Sequence, residues 1–205
     1  MQSFVNKYAK NITYSQNGEE GILIEVLSRL GIEKGHCVEI GANDGKYCSN
    51  VALLIEKGWS AKMVEADFNL WTKCCENWKG NNLVKSQCTR VDQYNINAFV
   101  NDDCDLLNID VDGLDYKIVE ALKAKPKIVI VEIDSSIPPD KPGFNVEGAA
   151  GYRSMVELGL SKGYFLLAHT GNLVFVDAEL QELFPEIEGD PLVDTKDYFK
   201  TAWLK

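Results

Sequence analysis

Apolar and polar positions follow two rhythms along this chain. Short, nearly continuous apolar runs rich in β-branched residues predict strands at His36–Ile40, Ala61–Glu65, Leu83–Ser86, Asp105–Val111, Lys127–Ile133, Tyr164–His169 and Leu173–Val176. The run K-I-V-I-V-E-I has no polar face, as a strand covered on both sides requires. Between these runs, apolar residues recur at helical spacing over Glu19–Leu30, Ser49–Lys57, Phe68–Trp78, Leu114–Ala124 and Ala149–Lys162. Strand-helix alternation predicts an α/β protein with right-handed crossovers and a doubly wound, mostly parallel seven-stranded sheet. The last two runs break the rhythm. H-T-G-N, from His169 to Asn172, is a tight polar turn, so the sheet should end in an antiparallel hairpin.

Composition narrows the function. The 205 residues are expected to form one domain over 1–205, with 1–18 as a segment able to cover a ligand. A net charge of −10 with no basic block argues against a nucleic-acid partner, which needs clustered lysine and arginine. A small molecule or a neutral glycan suits this surface better. No apolar run is long enough to span a bilayer, and M-Q-S-F-V-N-K-Y-A-K-N lacks a signal-peptide core, so a cytoplasmic location is expected. The six cysteines form no C-x-x-C pair, which predicts reduced, packed thiols. With two histidines and no thiolate pair, a structural zinc site is not expected.

The stretch C-V-E-I-G-A-N-D-G, Cys37 to Gly45, ends the first strand where open parallel sheets bind ligands. Gly41 and Gly45 can let the backbone approach a ligand, and Glu39 can accept hydrogen bonds from a cationic amino group. The spacing E-x-G-x-x-x-G differs from the G-x-G-x-x-G that cradles a pyrophosphate, which points to a cofactor with an amino acid end and no phosphates. The second strand ends in Glu65, roughly twenty residues further on, where an acidic residue grips ribose hydroxyls in such folds. The pair of acidic strand ends is more telling than either alone, each of which also reads as a turn or a solvated acid.

With these residues in place, the chain resembles FkbM-type S-adenosylmethionine-dependent methyltransferases. The resemblance runs through Y-S-Q-N-G-E-E-G-I, V-E-I-G-A-N-D-G, S-N-V-A-L-L-I-E-K-G-W-S, V-E-A-D, L-L-N-I-D-V-D-G-L-D-Y, V-E-I-D and G-Y-F-L-L-A-H-T-G-N-L-V-F-V, in that order, from Tyr14 to Val176. It implies the class I, Rossmann-like methyltransferase fold, whose sheet ends in such a hairpin. It also implies O-methylation of a sugar or natural-product hydroxyl. Glu39, Gly41 and Gly45 would then line the methionine end of the cofactor, Glu65 would hold the ribose, Ala66 and Asp67 would border the adenine, and Asn43 and Asp110 would also touch the cofactor. Tyr14, Ser15 and Gln16 would fold over the cofactor, or alternatively cap the first helix.

N-I-D-V-D-G-L-D carries the densest chemistry. Asp110 and Asp112 close the fourth strand, Asp115 opens the next helix, and Glu132 and Asp134 end the fifth strand. Converging carboxylates need a cation or a raised pKa to coexist. Asp112, Glu132 and Asp134 are the expected ligands of Mg²⁺ or Mn²⁺, as in some sugar O-methyltransferases that the chain resembles. Asp112, Asp115 and His169 are the candidate catalytic residues, Asp115 and His169 as bases, with helix capping as the other reading of Asp112 and Asp115 and a structural role as the other reading of His169. Asn172 and the proline-rich stretch from Ser135 to Gly148, with Phe144, are candidates for acceptor recognition. The expected acceptor is a sugar or glycan. Rival readings are a natural-product or catechol-like acceptor, a non-catalytic binding module on the same fold, and a nicotinamide-dependent reductase.

Overall fold

A computed structural model of the protein describes residues 1–10 and 13–194. Its seven strands are β1 (His36–Ile40), β2 (Ser60–Glu65), β3 (Val84–Cys88), β4 (Leu106–Ile109), β5 (Ile128–Glu132), β6 (Tyr164–His169) and β7 (Asn172–Asp177). They form one sheet in the order β3-β2-β1-β4-β5-β7-β6. Every pairing among β1 to β5 is parallel, while β7 runs antiparallel to both β5 and β6. This is the Rossmann-like class I methyltransferase architecture, with the expected terminal hairpin.

The helices are α1 (Gln2–Tyr8), α2 (Glu19–Leu30), α3 (Ala52–Glu56), α4 (Phe68–Asn77), α5 (Asp115–Ala121) and α6 (Tyr152–Ser161). Apolar burial on both sheet faces explains the continuous strand runs: β4 and β6 are buried at every position. Two departures from the sequence reading are local. Helix α1 was not expected; it buries Phe4 and Val5, and Phe4 meets Phe184 at 6.2 Å between ring centroids. The predicted helix from Ser49 begins only at Ala52, because Ser49 and Asn50 turn inward to bind Glu39.

Register positions the site. Ile40 pairs with both Val64 and Ile109, and Ile109 pairs with Val131. The residues that follow, Gly41, Glu65, Asp110 and Glu132, therefore align along one edge of the sheet. The strand order reverses between β1 and β4, and that crevice is where open α/β sheets take their ligands.

Candidate active site

A cavity of about 500 Å³ opens at that crevice. Of the residues expected at the cofactor, Gln16, Glu39, Gly41, Asn43, Glu65, Ala66 and Asp110 line it; of those expected at the metal or the chemistry, Asp112 and Glu132 do. Among the described residues, the non-glycine positions with positive φ are Asn43 (50°), Cys48 (56°) and Asp112 (52°), and all three line the cavity. Left-handed backbone costs about 1–3 kcal/mol per residue and gathers at functional sites. Asn tolerates it, whereas Cys48 has no such excuse in its chemistry.

Glu65 is held from two sides. Its Oε2 accepts the Asn43 backbone N–H at 2.7 Å and its Oε1 accepts that of Asp67 at 2.8 Å. Each oxygen keeps further acceptor capacity, so the carboxylate is oriented and still able to bind a pair of vicinal hydroxyls. The Asp67 side chain itself caps α4, accepting from the Asn69 and Leu70 amides, and it does not line the cavity.

The two glycines of the loop answer to the fold. At Gly41 (φ 82°) an added Cβ would fall 1.6 Å from the Asp110 carbonyl oxygen, so the close approach it permits is that of β4. At Gly45 (φ 78°) a Cβ would fall 2.7 Å from Cys74 Sγ, against α4, and Gly45 does not line the cavity.

Glu39 is 2% exposed and lies beneath the cavity. Ser49 Oγ donates to it at 2.8 Å, the Asn50 amide at 3.2 Å and Asn108 Nδ2 at 3.3 Å. Those bonds already occupy much of the capacity that the sequence reading reserved for a cofactor amino group. Burial pushes its pKa up to about 8, against the pull of Ser49 and Asn50 in the other direction. Below about pH 4.5 both folded and unfolded chains hold this proton; between there and about pH 8 only the folded chain does, so stability from this group falls as pH rises across that window. Glu39→Gln should remove this component: thermal melts at about pH 5.5 and about pH 8.5 should differ less in the variant than in the parent. An unchanged difference would show that Glu39 is ionised throughout.

Asp110, Asp112 and Glu132 offer oxygens that all lie within 4.8 Å of one another. Loss of solvent raises the pKa of both Asp110 and Glu132, and mutual repulsion adds to it for Glu132. Such a pair stays together by sharing a proton or by meeting a cation. The all-oxygen donor set, open to solvent on one side, fits a hard divalent ion.

The other expected chemical residues stand elsewhere. Asp134 belongs to the loop after β5: it accepts from the Ser136 amide and hydroxyl and from Asn145 Nδ2, which together lower its pKa, Ser136 foremost. It stands outside the group that Asp110, Asp112 and Glu132 form. Asp115 is 2% exposed and accepts the Val111 and Gly113 amides, each at 3.0 Å, which fastens the turn carrying Asp112. His169 is 2% exposed, 3.5 Å from Ser135 Oγ and edge-on to Tyr152, and does not line the cavity. Asn172 donates to Glu19.

Several cavity residues escaped the sequence reading. Asn108, Tyr47, Cys48 and Arg90 line it, and Asn108 sits on the central strand among apolar neighbours, a signal that was there to be read. Glu19 is fully buried and accepts from Thr170, Asn172 and the Asn17 amide, tying the segment before α2 to the hairpin. Gln16 is thereby brought to the cavity wall. Its neighbour Tyr14 donates its hydroxyl to Glu56.

No family model matches the chain, and no curated protein matches it in sequence. Solved structures match its fold. WbdD superposes with a TM-score of 0.57 at 14% identity, over 87% of this chain and 44% of that one. The CMeT domain of the citrinin polyketide synthase gives 0.53 at 14% identity, over 78% of this chain and 51% of that one. A candidate RNA methyltransferase from Pyrococcus horikoshii gives 0.51 at 15% identity, over 86% of this chain and 96% of that one. The chain thus has the class I methyltransferase fold. It spans less than half the length of the WbdD structure.

Proposed function

We propose that the protein is an S-adenosylmethionine-dependent O-methyltransferase whose acceptor is a sugar hydroxyl, free or on a glycan. The observation that carries this reading is the Glu65 carboxylate, aimed into the cavity by the Asn43 and Asp67 amides at the position where ribose is held in this fold. The order of FkbM-like motifs supports it. The cofactor, when bound, supplies a methyl group on a sulfonium.

The chain's own part is positioning and proton handling. Glu65 holds the ribose end and Gly41 and Asn43 border the amino acid end. The Asp110, Asp112 and Glu132 carboxylates face the same cavity, where one of them can take the acceptor hydroxyl's proton as the new bond forms. Asp115 and His169 are left as positioning residues. A divalent cation bound by the three carboxylates would supply Lewis acidity to the hydroxyl. Beside them, the backbone of Glu147 packs on Gly113, and Phe144 stands half exposed with its ring 5.0 Å from that of Tyr116. Its exposed ring could stack on a sugar face.

The test is a methyl-transfer screen of the intact protein over mono- and oligosaccharides and phenols, with and without Mg²⁺. Product on sugars, reduced by chelation, is expected; product on phenols alone, or none, sinks the reading. For the cation, Mg²⁺ should raise the melting temperature of the parent, and Asp112→Asn should weaken the apparent affinity about tenfold. An equal shift in both would place the ion elsewhere.

A further inference from the structure

A second cavity, of about 260 Å³, opens at the far end of the sheet. Its floor is apolar: Val119 and Leu122 at the end of α5, Val129 near the start of β5, and Phe175 of β7, which pairs with Val129. Gly159 of α6 is part of the wall; a Cβ there would fall 2.4 Å from the Phe175 ring, so glycine lets the helix lie close against it. The carboxylates described above stand at the opposite end of β5, so the two cavities share no residue.

The mouth of this cavity is basic in a chain of net charge −10. Lys123, Lys125 and Lys162 all border it. Lys125 is paired with Asp177 at 2.6 Å. Lys162 donates to the Leu122 carbonyl at 2.8 Å, and its partial burial lowers its pKa, with Glu120 a weaker opposing influence. The Lys123 amide donates to Asn97, and among the described residues no carboxylate pairs with its ammonium group. Two ammonium groups therefore lack a full countercharge at the rim of an apolar hollow.

We propose that this cavity is a binding site for an amphiphilic carboxylate of fragment size, such as a medium-chain acyl or aryl carboxylate. Its tail lies against Val119, Leu122, Val129 and Phe175, and its head lies between Lys123 and Lys162. Covering the apolar floor recovers about 25 cal/mol per Å² removed from water, and the head supplies the charge that partly desolvated Lys162 lacks. The volume is below the roughly 300 Å³ at which drug-sized pockets begin, which selects small ligands. The site stands independently of the methyl-transfer reading.

Calorimetric titration of the full chain with octanoate, first alone and then with S-adenosylmethionine added, tests it. One saturable site is expected, weakened tenfold or more by Lys123→Glu and further by Lys123→Glu/Lys162→Gln, with octanamide binding at least tenfold more weakly than octanoate. Lys123 is exposed, so its single variant keeps the test readable if the double variant does not fold. No saturable binding, equal binding of octanamide, or affinity unmoved by Lys123→Glu would overturn the proposal, as would displacement of octanoate by S-adenosylmethionine.

Discussion

Glu65→Ala should weaken S-adenosylmethionine binding by roughly two orders of magnitude, about 3 kcal/mol. The substitution would remove more than the proposed ribose contact. It also releases the Asn43 and Asp67 amides, bonded at 2.7 and 2.8 Å, and with them the left-handed turn at Asn43 that forms the cavity wall. Charge-assisted hydrogen bonds contribute about 1.5–3 kcal/mol each, so losing the ribose pair alone supplies the expected effect. Glu65→Gln should fall between, since an amide oxygen can keep one of the two backbone bonds. Equilibrium dialysis with labelled cofactor reads the series; equal affinity across all three proteins would remove Glu65 from the site.

Gly41→Ala should be the most damaging single change to the fold. The new Cβ would meet the Asp110 carbonyl oxygen at 1.6 Å, at a φ of 82° that alanine disfavours. Relief requires β1 and β4 to part where the Asp110 amide bonds to the Ile40 carbonyl, at 3.0 Å. We expect a loss of about 4 kcal/mol or more, a large share of the roughly 5–15 kcal/mol that holds a domain together. Gly31→Ala is the matched control: its φ is 67°, but nothing lies within 4 Å of the added atom, so only the backbone cost of about 1 kcal/mol should appear. Urea unfolding midpoints compare the two. If Gly41→Ala is no worse than Gly31→Ala, the strand-to-strand approach is looser than described.

The sheet was legible because burial on both faces leaves a plain mark, an unbroken apolar run. The hairpin was legible because T-G-N between two such runs admits little else. What escaped was short or governed by distant contacts. Helix α1 is seven residues with two buried side chains, too few for a periodic pattern, and its partner Phe184 is far away in sequence. Strand β3 reads V-K-S-Q-C and lies at the sheet edge, where one covered face leaves a weaker signal, and its observed end is two residues later than expected.

The site was half legible for the same reason. Strand-end acids announce themselves, and parallel register does bring Asp110 beside Glu132. Which acids face one another depends on bonds the sequence does not display. Asp134 is claimed by Asn145, eleven residues on, and Asp115 turns back on the loop before it. The loop glycines show the converse: their spacing excluded a pyrophosphate cradle, yet what requires them is the approach of β4 and α4.

The most direct measurement is calorimetric titration of the intact protein with S-adenosylmethionine and, separately, with NADH. One saturable site for S-adenosylmethionine and no detectable binding of NADH are expected. Absence of S-adenosylmethionine binding, or tighter binding of NADH, would contradict the methyl-transfer reading.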